Sequence, residues 1–226
     1  MPPVLSCIVP TLDEAVSLPA TLDALQDQNI DTEIVIADGG SRDATLDIAQ
    51  RYGCRIVSSP PGRGTQMNAG AKAATGTHLL FLHADTIVAK NAGLEIRDAL
   101  SRPGVIAGSF RLGFDRSSLL LDFFALCSKL NLASFTYGDQ GLYLRKETFE
   151  RLNGFKSYPF LEDVEMQARL RAHGRFVKSP LPVITSSRRF DRTGVLAQQI
   201  RNLAIVCAYQ AGISPFQLHR FYAKIR

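Results

Sequence analysis

The sequence contains no tryptophan and only four cysteines among its 226 residues. The cysteines form no CxxC pair and no Cys/His cluster, which argues against a structural zinc site of the usual spacing. Reduced and buried thiols are the expectation, as is common for an intracellular protein. The four residues are Cys7, Cys54, Cys127 and Cys207.

Long hydrophobic runs are also absent. The most apolar stretch, residues 119–130, is too short to span a bilayer and carries Asp122 and Lys129. The first three residues, Met1-Pro2-Pro3, lack the basic start of a secretion signal. These features predict a cytoplasmic protein without a membrane span.

Three common motifs are missing as well. No GxGxxG follows the first predicted strand, and neither GxxxxGK[ST] nor G-x-S-x-G occurs in the chain. These absences argue against a dinucleotide-dependent oxidoreductase, a P-loop NTPase and an α/β-hydrolase.

Acidic residues are scarce in the last quarter of the chain. Residues 169–226 contain 11 lysines or arginines and one acid, Asp191, which leaves 15 cations and 20 acids in the remainder. The last quarter is therefore strongly cationic, which suits a diphosphate, a membrane surface or a nucleic acid. A solvated basic face without any partner is the alternative.

Hydrophobic periodicity predicts an α/β fold. Short apolar runs typical of buried parallel strands alternate with helical patterns through the first hundred residues. The predicted strands are 4–9, 33–37, 55–58 and 78–82, and the predicted helices are 17–28, 41–52 and 65–74. This alternation indicates a mostly parallel sheet with helices on both faces.

The second half of the chain is predicted to be richer in helix. Strands are expected at 105–112 and 141–145, and helices at 119–130, 162–172, 195–211 and about 216–224. A further helix is expected to follow the strand at 141–145 and to end near Gly154. We expect one compact domain, with a nucleotide-binding half near 1–102, an acceptor half near 103–190 and basic helices near 191–226.

Polar or glycine-rich segments follow each of the first four strands. Because ligands bind beyond the carboxyl ends of parallel strands, this pattern predicts a ligand crevice there. The segments are Pro10 to Glu14, Asp38 to Asp43, Pro60 to Gly64 and His83 to Thr86.

The residue types in these segments suggest a nucleotide. Carboxylates such as Glu14 and Asp38 accept hydrogen bonds from ribose hydroxyls or a base N–H. Asp38 also suits a turn at the entry to a helix, which is the structural alternative. Arg63, between two glycines, can reach a phosphate or belong to an ordinary surface loop. Asp85 suits Mg²⁺ or Mn²⁺ together with a diphosphate, with His83 as a second ligand or a bystander.

Two acidic clusters lie further along the chain. Asp139 and Gln140 are flanked by glycines, and Glu162-Asp163 opens a predicted helix. The second pair is favoured by the helix dipole whatever its function. Its functional interpretation makes one carboxylate a general base.

Jointly, these motifs resemble family 2 of the glycosyltransferases over roughly residues 4–190. More narrowly, the chain resembles a small soluble bacterial branch of that family associated with radical-SAM and selenium-related genes. The resemblance implies a GT-A fold, a nucleotide-sugar donor and inversion at the anomeric carbon. The motifs that carry it are Val9 to Glu14, Ala37 to Asp43, His83 to Asp85, Gly138 to Gly141 and Glu162-Asp163.

The resemblance also implies roles for single residues. Asp163, with Glu162 beside it, would deprotonate the acceptor, and Asp85 would bind Mn²⁺ or Mg²⁺. Asp139 and Gln140 would line the donor sugar and the acceptor. Asp38 would accept a hydrogen bond from the uracil N–H of a UDP-sugar. The remaining donor-binding residues would be Pro10, Thr11, Glu14, Gly39, Arg63, Asn68, Ala84, Arg188 and Arg189.

The chain departs from the family pattern at three points. The metal motif has one carboxylate, Asp85, and Ala37 stands where the nucleoside motif usually has a first acid. The Gln-x-x-Arg-Trp motif of processive members is matched only by residues 198–202, without the tryptophan. A processive polysaccharide synthase is therefore not expected.

Several alternatives stay open. The acceptor is a small metabolite or a lipid at the membrane surface. The helices at 195–211 and 216–224 either dock on anionic lipid or make ordinary core contacts through Leu196, Ile200, Leu203 and Val206. Rival functions are a sugar nucleotidylyltransferase, although the expected G-x-G-x-R loop is missing, and a non-catalytic nucleotide-sugar or nucleic-acid binding protein. Nucleic acid is not expected, since no aromatic-basic stacking platform is found.

Overall fold

A computed structural model describes residues 4–133, 136–188 and 194–224 of the chain. Its strands are β1 (Leu5–Thr11), β2 (Thr32–Asp38), β3 (Arg55–Ser58), β4 (His78–Phe81), β5 (Thr86–Val88), β6 (Val105–Phe114), β7 (Leu142–Arg145) and β8 (Arg175–Thr185). Its helices are α1 (Leu18–Gln26), α2 (Thr45–Arg51), α3 (Arg63–Ala73), α4 (Ala92–Ser101), α5 (Leu119–Cys127), α6 (Lys146–Arg151), α7 (Glu162–His173), α8 (Val195–Gln210) and α9 (Pro215–Lys224).

The strands form one sheet in the order β3-β2-β1-β4-β7-β6-β8-β5. The first four strands along the chain run parallel, as predicted, and β6 is also parallel to β8. Strand β7 is antiparallel to both of its neighbours, and β5 is antiparallel to β8. The sheet is therefore mostly parallel, and β7 joins the two halves of the chain.

Helices cover both faces of the sheet. Along β1, Cys7 and Val9 belong to one core cluster and Ile8 to the other, because successive side chains of a strand point to opposite faces. Helices α1, α2 and α4 contribute to the first cluster, and α3, α6 and α7 to the second. Helix α3 packs closely on β1, since a Cβ at Gly70 would lie 2.5 Å from a methyl of Ile8.

Most predicted elements are confirmed to within a few residues, but some predictions are wrong. The helix predicted from residue 41 begins only at Thr45, because the Ser41 hydroxyl donates to Asp38 in the loop before it. Helix α4 and strands β5 and β8 were not expected from the sequence. Two prolines, Pro180 and Pro182, hide the eleven-residue β8 from a pattern search. The division into three functional segments stays a prediction.

The cysteines are free, but they are not all buried. Cys7 is buried, and burial raises the pKa of its thiol well above the usual range. Cys207 is exposed, which contradicts the expectation. Among the described residues, no helix is both long and apolar enough to cross a bilayer.

Candidate active site

The carboxyl ends of β1 and β2 lie side by side. Thr11 pairs with Asp38 in the parallel register, just as Pro10 pairs with Ala37. The Gly39 amide donates to the Thr11 carbonyl at 2.9 Å. The buried Gln66 amide of α3 donates to the same carbonyl at 2.7 Å and to that of Ala37 at 2.9 Å. The segments after β1 and β2, which are predicted to bind the nucleoside, are therefore held together at one edge of the sheet.

The Asp38 carboxylate is held by four donors of the chain itself. Its Oδ2 accepts from the amides of Gly40 at 2.8 Å and Ser41 at 2.9 Å. Its Oδ1 accepts from the hydroxyls of Ser41 at 2.5 Å and Thr11 at 3.0 Å. Burial raises the pKa of Asp38, but these hydrogen bonds outweigh it and hold the pKa below the usual value. Asp38 thus orders the loop after β2, and its contact with a nucleobase stays a prediction.

Glu14 lies within the field of several charged groups at this edge. Its pKa is raised by burial and by the negative charges of Asp85 and Asp43, while Arg188 and Arg63 lower it. Two acidic and two basic side chains from four separate segments therefore act on the Glu14 carboxyl group. A diphosphate with a divalent cation has matching charges of both signs.

The segment after β4 is held in place by two hydrogen bonds to its backbone. The carbonyl of the buried Ala84 accepts from the Thr21 hydroxyl at 2.8 Å, which ties the segment to α1. The Asp85 carbonyl accepts from the Ser186 amide at 3.2 Å, so the chain that follows β8 passes beside Asp85. No cluster of three or more His, Cys, Asp or Glu side chains able to hold a metal is found among the described residues.

The donor set nevertheless fits a cation that is shared with a substrate. Asp85 and the nearby Glu14 offer carboxylate oxygens, which Mg²⁺ and Mn²⁺ prefer. Mg²⁺ is commonly held by one or two carboxylates, with phosphates and waters as the other ligands. Asp85 is therefore the candidate metal ligand.

A narrow cleft lies on the α3 side of the same edge. It is lined by Arg63, His83, Gly138, Phe155, Glu162 and Asp163, among others. A larger cavity of about 460 Å³ is formed elsewhere, at the amino ends of β2 and β3, by residues such as Asp31 and Arg55. We place the site at the narrow cleft, because it contains the charged groups at the carboxyl edge of the sheet.

Glu162 is buried in this cleft. Its side chain is 2% exposed, and its Oε1 lies 3.8 Å from the Arg63 guanidinium. Burial and the adjacent Asp163 raise the pKa of Glu162 to about 7, although Arg63 lowers it. A carboxyl group with such a pKa changes its charge near neutral pH, which is typical of functional sites.

Asp163 is positioned by two backbone amides. Its Oδ2 accepts from Gly138 at 2.5 Å, and its Oδ1 accepts from Val164 at 2.8 Å. Leu161, which directly precedes α7, has a left-handed backbone with φ of 65°. That conformation is unfavourable for a branched side chain, and such residues often occur at functional sites.

Asp139 and Gln140 are buried in a single 3-10 turn, Gly138–Gln140, immediately before β7. Gln140 accepts from the Lys178 ammonium at 2.5 Å. Lys178 also donates to Ser109 at 2.8 Å and to Thr136 at 3.2 Å. Burial and Arg171 lower the pKa of Lys178 to about 7, with Asp139 acting in the opposite direction.

Lys178 was missed by the sequence analysis. It lies in β8, a strand whose prolines conceal it, and no motif surrounds it. A lysine among apolar residues of a strand is the one signal that the sequence offered.

Asn68 makes two hydrogen bonds with the backbone of Phe155. Its amide donates to the Phe155 carbonyl at 2.8 Å, and its oxygen accepts from the Phe155 amide at 2.9 Å. Asn68 therefore anchors the loop before α7 on α3. Its predicted position beside the diphosphate and sugar stays a prediction.

Arg188 reaches the nucleoside side of the site from the segment after β8. Its guanidinium donates to the Ser17 hydroxyl at 2.5 Å and to Ser186 at 3.2 Å. The start of this segment is held by Asp115, whose carboxylate accepts from the Ser187 amide at 2.9 Å. Arg189, the other predicted diphosphate ligand, lies outside the described residues.

Comparison with known proteins identifies the family. The family model described as "Glycosyl transferase family 2" matches residues 6–120. A curated relative from Mycobacterium bovis, "PGL/p-HBAD biosynthesis glycosyltransferase", is 46% identical over 91 residues. That alignment covers 37% of this chain and 36% of the relative, so the chain spans about a third of its length.

Solved structures share the fold. A mannosyltransferase from Pyrobaculum calidifontis, in complex with GDP-Man and Mn²⁺, has a TM-score of 0.71 at 21% identity, covering 96% of this chain and 67% of that one. Glucosyl-3-phosphoglycerate synthase from Mycobacterium tuberculosis, in complex with Mn²⁺, UDP and glucosyl-3-phosphoglycerate, has a TM-score of 0.62 at 18% identity, covering 93% and 81%.

These neighbours confirm the GT-A fold that the sequence motifs implied. The narrower resemblance to a radical-SAM-associated branch stays a prediction. The family model covers half of the chain, including the segments after the first four strands. The chain belongs to glycosyl transferase family 2.

Proposed function

We propose that this chain is an inverting glycosyltransferase that moves a sugar from a nucleotide-sugar donor, a UDP-sugar, to an acceptor hydroxyl. The observation that carries the proposal is the cleft that Arg63, Glu162 and Asp163 line together, with the Arg63 guanidinium 3.8 Å from the Glu162 carboxylate. A carboxylate base and a cation for the leaving group are the two groups that direct displacement requires. Family membership supports the same assignment.

In this proposal Asp163 is the general base. The two amides that hold its oxygens fix its direction, and each oxygen retains acceptor capacity for an acceptor hydroxyl. Removal of the hydroxyl proton accompanies attack on the anomeric carbon from the face opposite the diphosphate, which inverts that carbon. Glu162 remains buried beside it and sets the local charge.

Arg63 and Arg188 stabilise the diphosphate as it leaves. Arg63 begins α3, where its guanidinium is half exposed, and Arg188 lies near Glu14 on the other side of the edge. Positive groups at the position where negative charge develops lower the barrier most in a cleft that excludes water. Arg189 is assigned to the same role by its neighbourhood in the sequence.

Asp85, together with Glu14, would hold Mg²⁺ or Mn²⁺ with the donor diphosphate. Such a cation, when bound, offsets charge on the leaving group. Two fold neighbours that were solved with a nucleotide or nucleotide sugar also contain Mn²⁺, which supports this assignment. His83 lines the adjacent cleft and is proposed to contact the donor rather than the metal.

Calorimetric titration with UDP, GDP and CDP, with and without Mn²⁺, tests the donor site. We expect UDP to bind, and we expect Mn²⁺ to increase its affinity. Asp85→Asn should abolish this increase. Asp47→Asn, an exposed acid on α2, is the matched control. Binding of GDP alone would show that the donor is a GDP-sugar rather than a UDP-sugar. Binding of none of the three nucleotides would contradict the proposal.

A further inference from the structure

Helix α5 carries its apolar residues on the outside. Leu119, Phe123 and Leu126 are spaced as one helical stripe, and their exposed fractions are 93%, 56% and 57%. Leu121 is the fully buried residue of this helix. A helix on a water-soluble protein normally turns such a stripe toward the core.

Helix α8 shows the same inversion. Leu196, Ile200 and Leu203 form a stripe in which each side chain is more than half exposed. The inward side contains the buried Gln198, whose Nε2 donates to Asn202 at 2.9 Å. The prediction of ordinary core contacts is therefore wrong for the three apolar residues of the stripe, while Val206 is buried as expected.

The two stripes lie on neighbouring helices. Helices α5 and α8 contact each other. We call the surface formed by Leu119, Phe123, Leu126, Leu196, Ile200 and Leu203 the outer apolar face. Exposed apolar surface of this extent on neighbouring helices marks an interaction site, whereas single exposed leucines do not.

Helix α8 lies close to the turn that contacts the proposed base. Burial raises the pKa of Tyr137, and so do the charges of Asp139, Asp163 and Cys207 of α8. Tyr137 thus lies near α8 and directly precedes Gly138, whose amide contacts the proposed base Asp163. Helix α9 covers the loop before α7, since the rings of Phe216 and Tyr158 meet edge to face at 6.0 Å.

Charge decides which partner suits this surface. Residues 192–226 contain five lysines or arginines and no acid. Around α5 the exposed Arg116 and Lys129 are offset by the exposed Asp115 and Asp122, so the excess positive charge lies with α8 and α9, where Arg220 is exposed. A second copy of the chain would bring the same positive charge to the contact. An anionic bilayer offers the opposite charge and an apolar interior.

We propose that the outer apolar face docks the protein on the surface of an anionic membrane. The helices lie in the interface rather than across it, consistent with the finding that no described helix is suited to span a bilayer. Because the turn at Gly138 contacts Asp163 and lies close to α8, docking through α8 would shorten the path from the bilayer to Asp163. An acceptor anchored in the bilayer would then reach it, a consequence that rests on the proposed function.

Co-sedimentation of the full chain with vesicles tests the docking. We expect binding to vesicles with about 30% phosphatidylglycerol, weak binding to pure phosphatidylcholine, and loss of binding as salt increases. The double variant Phe123→Ser/Ile200→Ser should bind at least about tenfold more weakly. Ile56→Ser, on edge strand β3 and 37% exposed, should bind as the wild type does.

The outcomes separate the competing explanations. Absence of binding by the wild type, or equal binding by the double variant, would overturn the proposal. A wild-type dimer that the double variant dissociates would assign the face to a second copy instead. Thermal melts of both variants establish that they are folded. UDP titration on the same samples shows independently whether the proposed function stands.

Discussion

The Gly138 amide donates a hydrogen bond to Asp163 Oδ2 at 2.5 Å. This contact joins two acidic segments that are 25 residues apart in the chain. A Cβ at position 138 would lie 3.0 Å from the same oxygen, so glycine leaves the space that the carboxylate uses. The turn that carries Asp139 and Gln140 is therefore coupled directly to the proposed base.

Replacement of that base tests the proposed reaction. Asp163→Asn keeps the shape and a hydrogen-bond acceptor for Gly138 but removes the basic carboxylate. We expect UDP affinity to be retained and the rate of sugar transfer to fall by about 10²-fold or more. The measurement is single-turnover transfer with saturating donor. Normal turnover would assign the base elsewhere, with Glu162 or Asp139 tested next.

Glu162 makes stability depend on pH. Its pKa is raised from 4.5 to about 7 in the folded chain, so between these values the folded state binds more protons than the unfolded state. Its contribution to stability is complete below the lower value and is lost as the pH rises through the higher one. Glu162→Gln should remove this slope, and the free energy of unfolding measured across the window checks it. Identical slopes in both proteins would contradict the burial of an ionisable Glu162.

The Asp38 carboxylate is predicted to support nucleotide binding by ordering its loop. Asp38→Ala removes the acceptor of four hydrogen bonds, so UDP affinity should fall by about tenfold or more and the melting temperature should decrease. Thr11→Val removes one of the four donors and should have a smaller effect on both. Calorimetry and thermal melts report the two quantities. Unchanged UDP affinity in Asp38→Ala would remove Asp38 from the site.

Lys178 is predicted to position the turn at Gln140. Lys178→Met removes three hydrogen bonds while retaining the length of the side chain. We expect kcat to fall by about tenfold with the Kd for UDP unchanged, because the altered turn lies on the acceptor side. Lys90→Met, at an exposed position, is the control. A parallel loss of UDP affinity would show that Lys178 only supports the fold.

Local sequence patterns were sufficient to locate the candidate site. The apolar runs before residues 10, 38 and 83 had to be parallel strands, and parallel strands bring their carboxyl ends to one edge. The residues that meet at that edge could thus be predicted without coordinates, while their chemistry stays a prediction. Strand β8 was missed because its prolines and polar residues hide the pattern, and with it Lys178 and the link from Asp85 to Ser186.

The sequence by itself determined the order of the elements from β1 to β4, the family motifs and the placement of carboxylates at strand ends, since these depend on local periodicity and spacing. Only the tertiary structure decided how those carboxylates behave. Burial beside Asp163 raises the pKa of Glu162, four chain donors surround Asp38, and the stripes of α5 and α8 point outward. Each of these properties arises from residues that are distant along the chain but adjacent in space, because desolvation and hydrogen bonding depend on neighbours rather than on sequence position.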